Sequence, residues 1–271
     1  MHWIPLALYG AAFVGYVLHF AKHEANVGRA ATTLLVAGAL AHTFVVGMQT
    51  MEVGHVPMTS ASSAISTFVL LLVLAYLFTE MTTEERAMGA FILPLAVVLQ
   101  TIPALHPMAE VHSDVLSGPL FGIHVSSLLF AYASFALACV IGITYVLLFK
   151  EIKAKHLGFF YTRLPSLQVL DTMNQRAIVV GWVCLTIGLV AGAIYAVQTP
   201  SADPRVQAMS LQDPKIFVAL VCWAVYSFEV FAARRIGWGG RRTAYLSAVG
   251  FAIVLLNFLP ISYFLTNSHD F

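Results

Sequence analysis

Long apolar runs alternate with short polar joints along this chain. Eight runs approach the length of a bilayer crossing, at about 3–21, 30–50, 63–79, 87–103, 118–149, 177–198, 214–233 and 243–266. A crossing takes about 20 mostly apolar residues. Backbone groups left unpaired in lipid are too costly, so each run is expected to be a helix. The predicted fold is an all-α integral membrane bundle of about eight transmembrane helices, a single domain over 1–271. The fifth run is long enough to continue past the bilayer. The first, MHWIPLALYGAAFVGYVLHFAK, lacks a basic start and spans by length, so it is read as a helix and not as a cleaved signal.

The joints orient the bundle. Those after the first, third, fifth and seventh runs hold Lys22, Arg29, Arg86, Lys150, Lys153, Lys155, Arg163, Arg176, Arg234, Arg235, Arg241 and Arg242. The opposite side holds only Arg205 and Lys215. Basic loops stay cytoplasmic, so both termini are expected outside, with the chain in a bacterial plasma membrane.

Composition agrees. Hydrophobic residues make up 59% of the 271 and charged residues only 10%, with mean hydropathy +0.84. Soluble domains carry roughly 25% charged residues, so this chain cannot cover a water-facing surface. A net charge of +1 argues against a nucleic-acid partner; membrane lipid is the expected surroundings. Cys139, Cys184 and Cys222 all lie in apolar runs without a CxxC pair, which suits packing. There is no phosphate-binding GxxxxGK[ST] loop and no GxSxG elbow.

The histidines carry the candidate chemistry. His19, His23 and His156 fall on the basic side and His42 inside the second run. His2, His55, His106, His112, His124 and His269 fall at or near the other face. Imidazole is the commonest protein ligand of metals, haem iron included. Six-coordinate haem takes two imidazoles from opposite ring faces, and helix ends distant in sequence can supply them. His124 opens the fifth run and His269 closes the eighth, at similar depth. Interfacial histidines that bind nothing are the plainer alternative. The stretch LHPMAEVHSD groups His106, Glu110, His112 and Asp114 without a fixed ligand spacing; a solvated loop competes there with a zinc site. His42 is a functional candidate by depth, against a hydrogen-bonded neutral ring. Glu229, in VYSFEVFAARR, is expected to face Arg234 or to snorkel.

Four stretches, in order, resemble the integral membrane cytochrome c assembly proteins of the CcsA/ResC type, especially their short HemX-like relatives. They are GHVPMTSASSAISTF (54–68), GIHVSSLLFAYASFALACVIGITYVLLF (122–149), QDPKIFVALVCWAVYSFEVFAARRIGWGGRRTAYLSAVGF (212–251) and the closing LTNSHDF. The resemblance implies b-type, non-covalent haem near the outer face, with His124 and His269 as axial ligands. It places the family's Asp-Pro-Lys on Asp213, Pro214 and Lys215, and its Gly-His-x-Pro loop on His55. In full-length members it implies haem delivery to apocytochrome c. Two features depart from the family. The loop VQTPSADPRVQAMSLQDPK lacks the family's tryptophans, and Phe231 stands at the position of an intramembrane histidine. Trp3, Phe121 and Tyr263 are outer aromatics that either replace that platform or form an interfacial belt; Lys215 and Arg205 are outer cations suited to propionates. His42 is a candidate for an inner imidazole.

By itself the chain is not expected to act as an enzyme, though it fits a place in a cytochrome c haem lyase system. The alternative is a HemX-like scaffold or regulator that docks an assembly partner or a tetrapyrrole-pathway enzyme, with the basic stretch from Lys150 to Arg176 as its largest inner surface. A transporter would need a continuous polar path, for which the runs offer few groups.

Overall fold

The computed structural model describes residues 2–58, 60–107, 118–155, 158–198 and 214–258. The side chains of residues 214, 215 and 256–258 are excluded from that description. Eight helices stand among the described residues: α1 Trp3–Lys22, α2 Ala25–Val53, α3 Ala61–Thr83, α4 Gly89–Leu105, α5 Pro119–Lys153, α6 Leu167–Gln198, α7 Pro214–Phe231 and α8 Arg241–Phe258. Six of them are long and apolar enough to cross a membrane. The chain is therefore a multi-pass helical membrane protein. α4 has 17 residues and carries Pro94 and Pro103 within it, and α8 opens on two arginines. α5, at 35 residues, is about 52 Å long against a hydrocarbon core of about 30 Å.

Two boundaries differ from the hydrophobic pattern. α2 begins at Ala25 and α6 at Leu167, well before their apolar runs. The reason lies in partners that hydropathy does not register. Asp171, near the start of α6, accepts from the Gly240 backbone N–H at 2.7 Å and the Thr243 hydroxyl at 3.1 Å, and so caps α8 across the bundle. Arg176 donates to the Thr82 carbonyl at 2.8 Å. Most of the supposed inner loop from Lys150 to Arg176 is accordingly helical.

Successive helices run antiparallel. Gly15 lies against Ala31 and Gly38 against Tyr9, while the backbone of Ala244 meets Gly142, close approaches that small residues permit in lipid. α1 packs on α2 and α4, α5 on α6 and α8, and α7 on α8. α3 against α5 joins the two halves, beside an apolar cavity of about 220 Å³ bounded by Ala75, Phe130, Leu137 and Val180. Tyr9, Tyr16, Tyr76, Phe135 and Tyr226 are fully buried, and Phe135 stacks on Tyr226 at 3.5 Å between centroids.

This up-and-down order puts the starts of odd helices and the ends of even ones together. His2, His55, His106 and His124 meet at one end, the histidine-rich end. The twelve Lys and Arg residues of the odd-to-even joints meet at the other, the basic end.

Candidate functional site

His124 sits one turn into α5, half-buried against α6. Its Nδ1 lies 2.7 Å from the Gly188 carbonyl oxygen. A carbonyl only accepts, so Nδ1 carries the proton. In the neutral ring the Nε2 lone pair is then available, and Nε2 makes no hydrogen bond among the described residues. A backbone carbonyl holding one nitrogen while the other is offered is the usual support of a metal-binding imidazole. The ring lies over Gly192, where an added Cβ would strike its Nδ1 and Cε1 atoms. Phe121 and Tyr195 close one side, with ring centroids 5.6 Å apart. The GLVAG stretch of α6 is thus the cradle of His124. The spacing of four between Gly188 and Gly192, a helix-contact signature, was the available sequence signal.

His42 has a different setting. It is fully buried, with Nδ1 3.0 Å from the Tyr9 hydroxyl and Nε2 2.8 Å from Ser66 Oγ. Ser66 Oγ lies 3.4 Å from His2 Nδ1, and Gln49 Nε2 lies 3.3 Å from His2 Nε2. Burial lowers the His2 imidazole below its ordinary pKa. Both ring nitrogens of His42 are engaged, so a ligand role would require one bond to break. Gln100, at similar depth on α4, is fully buried with neither amide atom partnered among the described residues.

His55 is buried in the joint after α2, its Nδ1 3.0 Å from the Val56 carbonyl. Thr67 donates to the Pro57 carbonyl at 3.1 Å, and Ser60 caps α3 by accepting from the Ser63 backbone N–H at 3.2 Å. Ser62 donates to the His106 carbonyl. Lys215 belongs to the first turn of α7, and its side chain is outside the described set. His269, Asp213, Arg205, Tyr263, Glu110, His112 and Asp114 also lie outside the described residues. Among described residues no group of three His, Cys, Asp or Glu is placed to hold a metal ion. Trp3 is 56% exposed and Phe231 55% exposed.

Toward the basic end each half buries one glutamate. Glu80 of α3 accepts from Tyr16 at 2.6 Å and Thr32 at 2.5 Å, with Arg86 Nε at 3.6 Å. Glu229 of α7 neither snorkels nor faces Arg234, contrary to the sequence expectation. It is 1% exposed, and its Oε1 lies 3.0 Å from Ser247 Oγ, with Asn174 next in line. The expectation failed because α8 supplies a hydroxyl at that depth, which the local sequence of α7 does not reveal.

The fold is that of a multi-pass helical membrane protein, with the His124 imidazole oriented by a backbone carbonyl at its histidine-rich end. A family model described as "Cytochrome C assembly protein" matches residues 5–269. The chain belongs to that family. Similar proteins include one from Guillardia theta, 23% identical over 96% of this chain and 90% of its own length, one from Heterosigma akashiwo, 26% identical over 79% and 76%, and one from Synechococcus elongatus, 24% identical over 88% and 83%. Each of the three is named cytochrome c biogenesis protein CcsA.

Proposed function

We propose that this chain takes part in cytochrome c assembly by holding b-type, non-covalent haem at its histidine-rich end. Family membership and the names of the relatives support the assembly role. The observation that carries the haem reading is the His124–Gly188 bond, which leaves Nε2 available to iron on the edge of the bundle. His269 is the second axial ligand. Lys215, in the first turn of α7, suits a propionate, and Asp213 precedes it in the sequence. His55 lines the neighbouring joint, and His42 anchors the buried chain beneath it, entering a ligand sphere only if Tyr9 or Ser66 releases it. The whole chain, 1–271, acts as one domain. Both termini and the histidine-rich end face away from the cytoplasm, as the basic residues at the other end favour. Bound haem would supply a redox-active iron and a porphyrin for attachment.

The test is the visible spectrum of the detergent-purified protein. Wild type is expected to show a haem band at expression or on reconstitution, lost in the His124→Ala, His269→Ala double variant. A protein that stays colourless after reconstitution overturns the haem reading and leaves docking of an assembly partner as the family role.

A further inference from the structure

Ser247 is the hydrogen-bond partner of Glu229 among the described residues. Ser247 Oγ lies 2.8 Å from the Thr243 carbonyl, 3.0 Å from Glu229 Oε1 and 3.2 Å from Asn174 Oδ1. Those are three acceptors for one hydroxyl proton. Asn174 Nδ2, at 3.0 Å, fills one of the lone pairs on Ser247 Oγ. The hydroxyl can donate either to the carbonyl one turn back in its own helix or to Glu229. Where it donates to the carbonyl, a protonated Glu229 donates in turn to the remaining Ser247 lone pair.

Burial leads to the same result independently. Among the described residues, Glu229 Oε2 is buried with no hydrogen-bond partner, and so is the Tyr226 hydroxyl one turn earlier. No Lys, Arg or His among the described residues forms an ion pair with Glu229. A bare carboxylate at such a place is far more costly than a neutral acid. Glu80 shows the alternative arrangement, two hydroxyl donors and a guanidinium around its carboxyl group. The groups next to Glu229 carry no positive charge: Tyr226 on its own helix and Ser247 from α8, with Asn174 from α6 behind Ser247. The next titratable groups toward the basic end are Asp171 and Tyr145, with Arg241 beyond them.

We infer that Glu229 is a proton-binding site in the seam of α6, α7 and α8, its carboxylic acid hydrogen-bonded to Ser247. Binding a proton keeps the seam closed. Losing it leaves a charge that no neighbour compensates, so the seam loosens as the pH rises. This inference is independent of haem.

Infrared spectroscopy of the full chain in lipid tests it. Near neutral pH, wild type is expected to show the C=O stretch of a buried neutral carboxylic acid. The Glu229→Gln variant should lose that band, and Glu80→Gln should keep it. Titration to strongly alkaline pH should remove the band reversibly. Ser247→Ala removes the acceptor, so the band should persist but move to higher frequency. Carboxylic-acid regions that are identical in wild type and E229Q would overturn the inference. If E229Q does not fold, the Ser247→Ala shift decides alone, and an unmoved or absent band in that variant rejects the proposal.

Discussion

The two halves of the bundle treat their buried glutamates, and one histidine in each, in opposite ways. In α1–α4, Glu80 meets Tyr16, Thr32 and Arg86, and His42 spends both nitrogens on Tyr9 and Ser66. In α5–α8, Glu229 leaves one oxygen unpartnered, Tyr226 leaves its hydroxyl unpartnered, and His124 commits one nitrogen of two. In the first half, polar contacts serve as fastening between helices. In the second half, one glutamate oxygen and one histidine nitrogen are without a partner among the described residues. A saturated histidine and a half-saturated one on the same membrane scaffold are therefore not equivalent candidates.

Breaking the contrast at Glu80 should have the largest effect. Glu80→Ala strands two buried hydroxyls and a guanidinium, and is expected to cost about 3 kcal/mol, read as a lower midpoint of unfolding in detergent. Glu229→Gln, a neutral isostere of a neutral acid, should stay within about 1 kcal/mol of wild type. Equal losses in the two variants would erase the distinction between the halves. His42→Ala is next, at about 2 kcal/mol, because Tyr9 and Ser66 lose their shared partner in the core. His124→Ala should cost less than about 1 kcal/mol, since its ring is half-exposed, yet it should abolish the haem band. Gly192→Ala sharpens the same point without touching the ligand: its methyl displaces the imidazole, so haem retention should fall while His124 is still present.

The smallest expected effect concerns His2. Burial holds its folded-state pKa below that of the unfolded chain. The unfolded state then binds more protons across that window, so stability is present above the ordinary imidazole pKa and is lost as pH falls through the lowered one. A His2→Gln variant should show a shallower loss of stability between neutral and mildly acidic pH, measured by thermal unfolding.

Much of the bundle was legible in the pattern of apolar residues. Each of the eight runs contains or becomes a helix, and the clustering of basic residues in alternate joints does place them together at one end. The starts of α2 and α6 were not legible, because a polar turn stays helical when another helix supplies its partners, as Asp171 and Arg176 do. Among site residues, His124 was visible as an imidazole at a helix start, but its tautomer was not, since that depends on a carbonyl 64 positions away. Glu229 was misjudged because its charge suggested water while its neighbour Ser247 lay on a helix the local sequence does not mention.

Taken alone, the order of residues determined that this chain crosses a membrane many times, which helices follow one another, and which residues share an end. Those properties follow from hydropathy, run length and the parity of an up-and-down chain. Only tertiary structure decided which polar groups are spent and which remain available. Hydrogen-bond satisfaction in a low-dielectric interior is a property of pairs brought within about 3 Å, and such pairs here join helices far apart in the sequence.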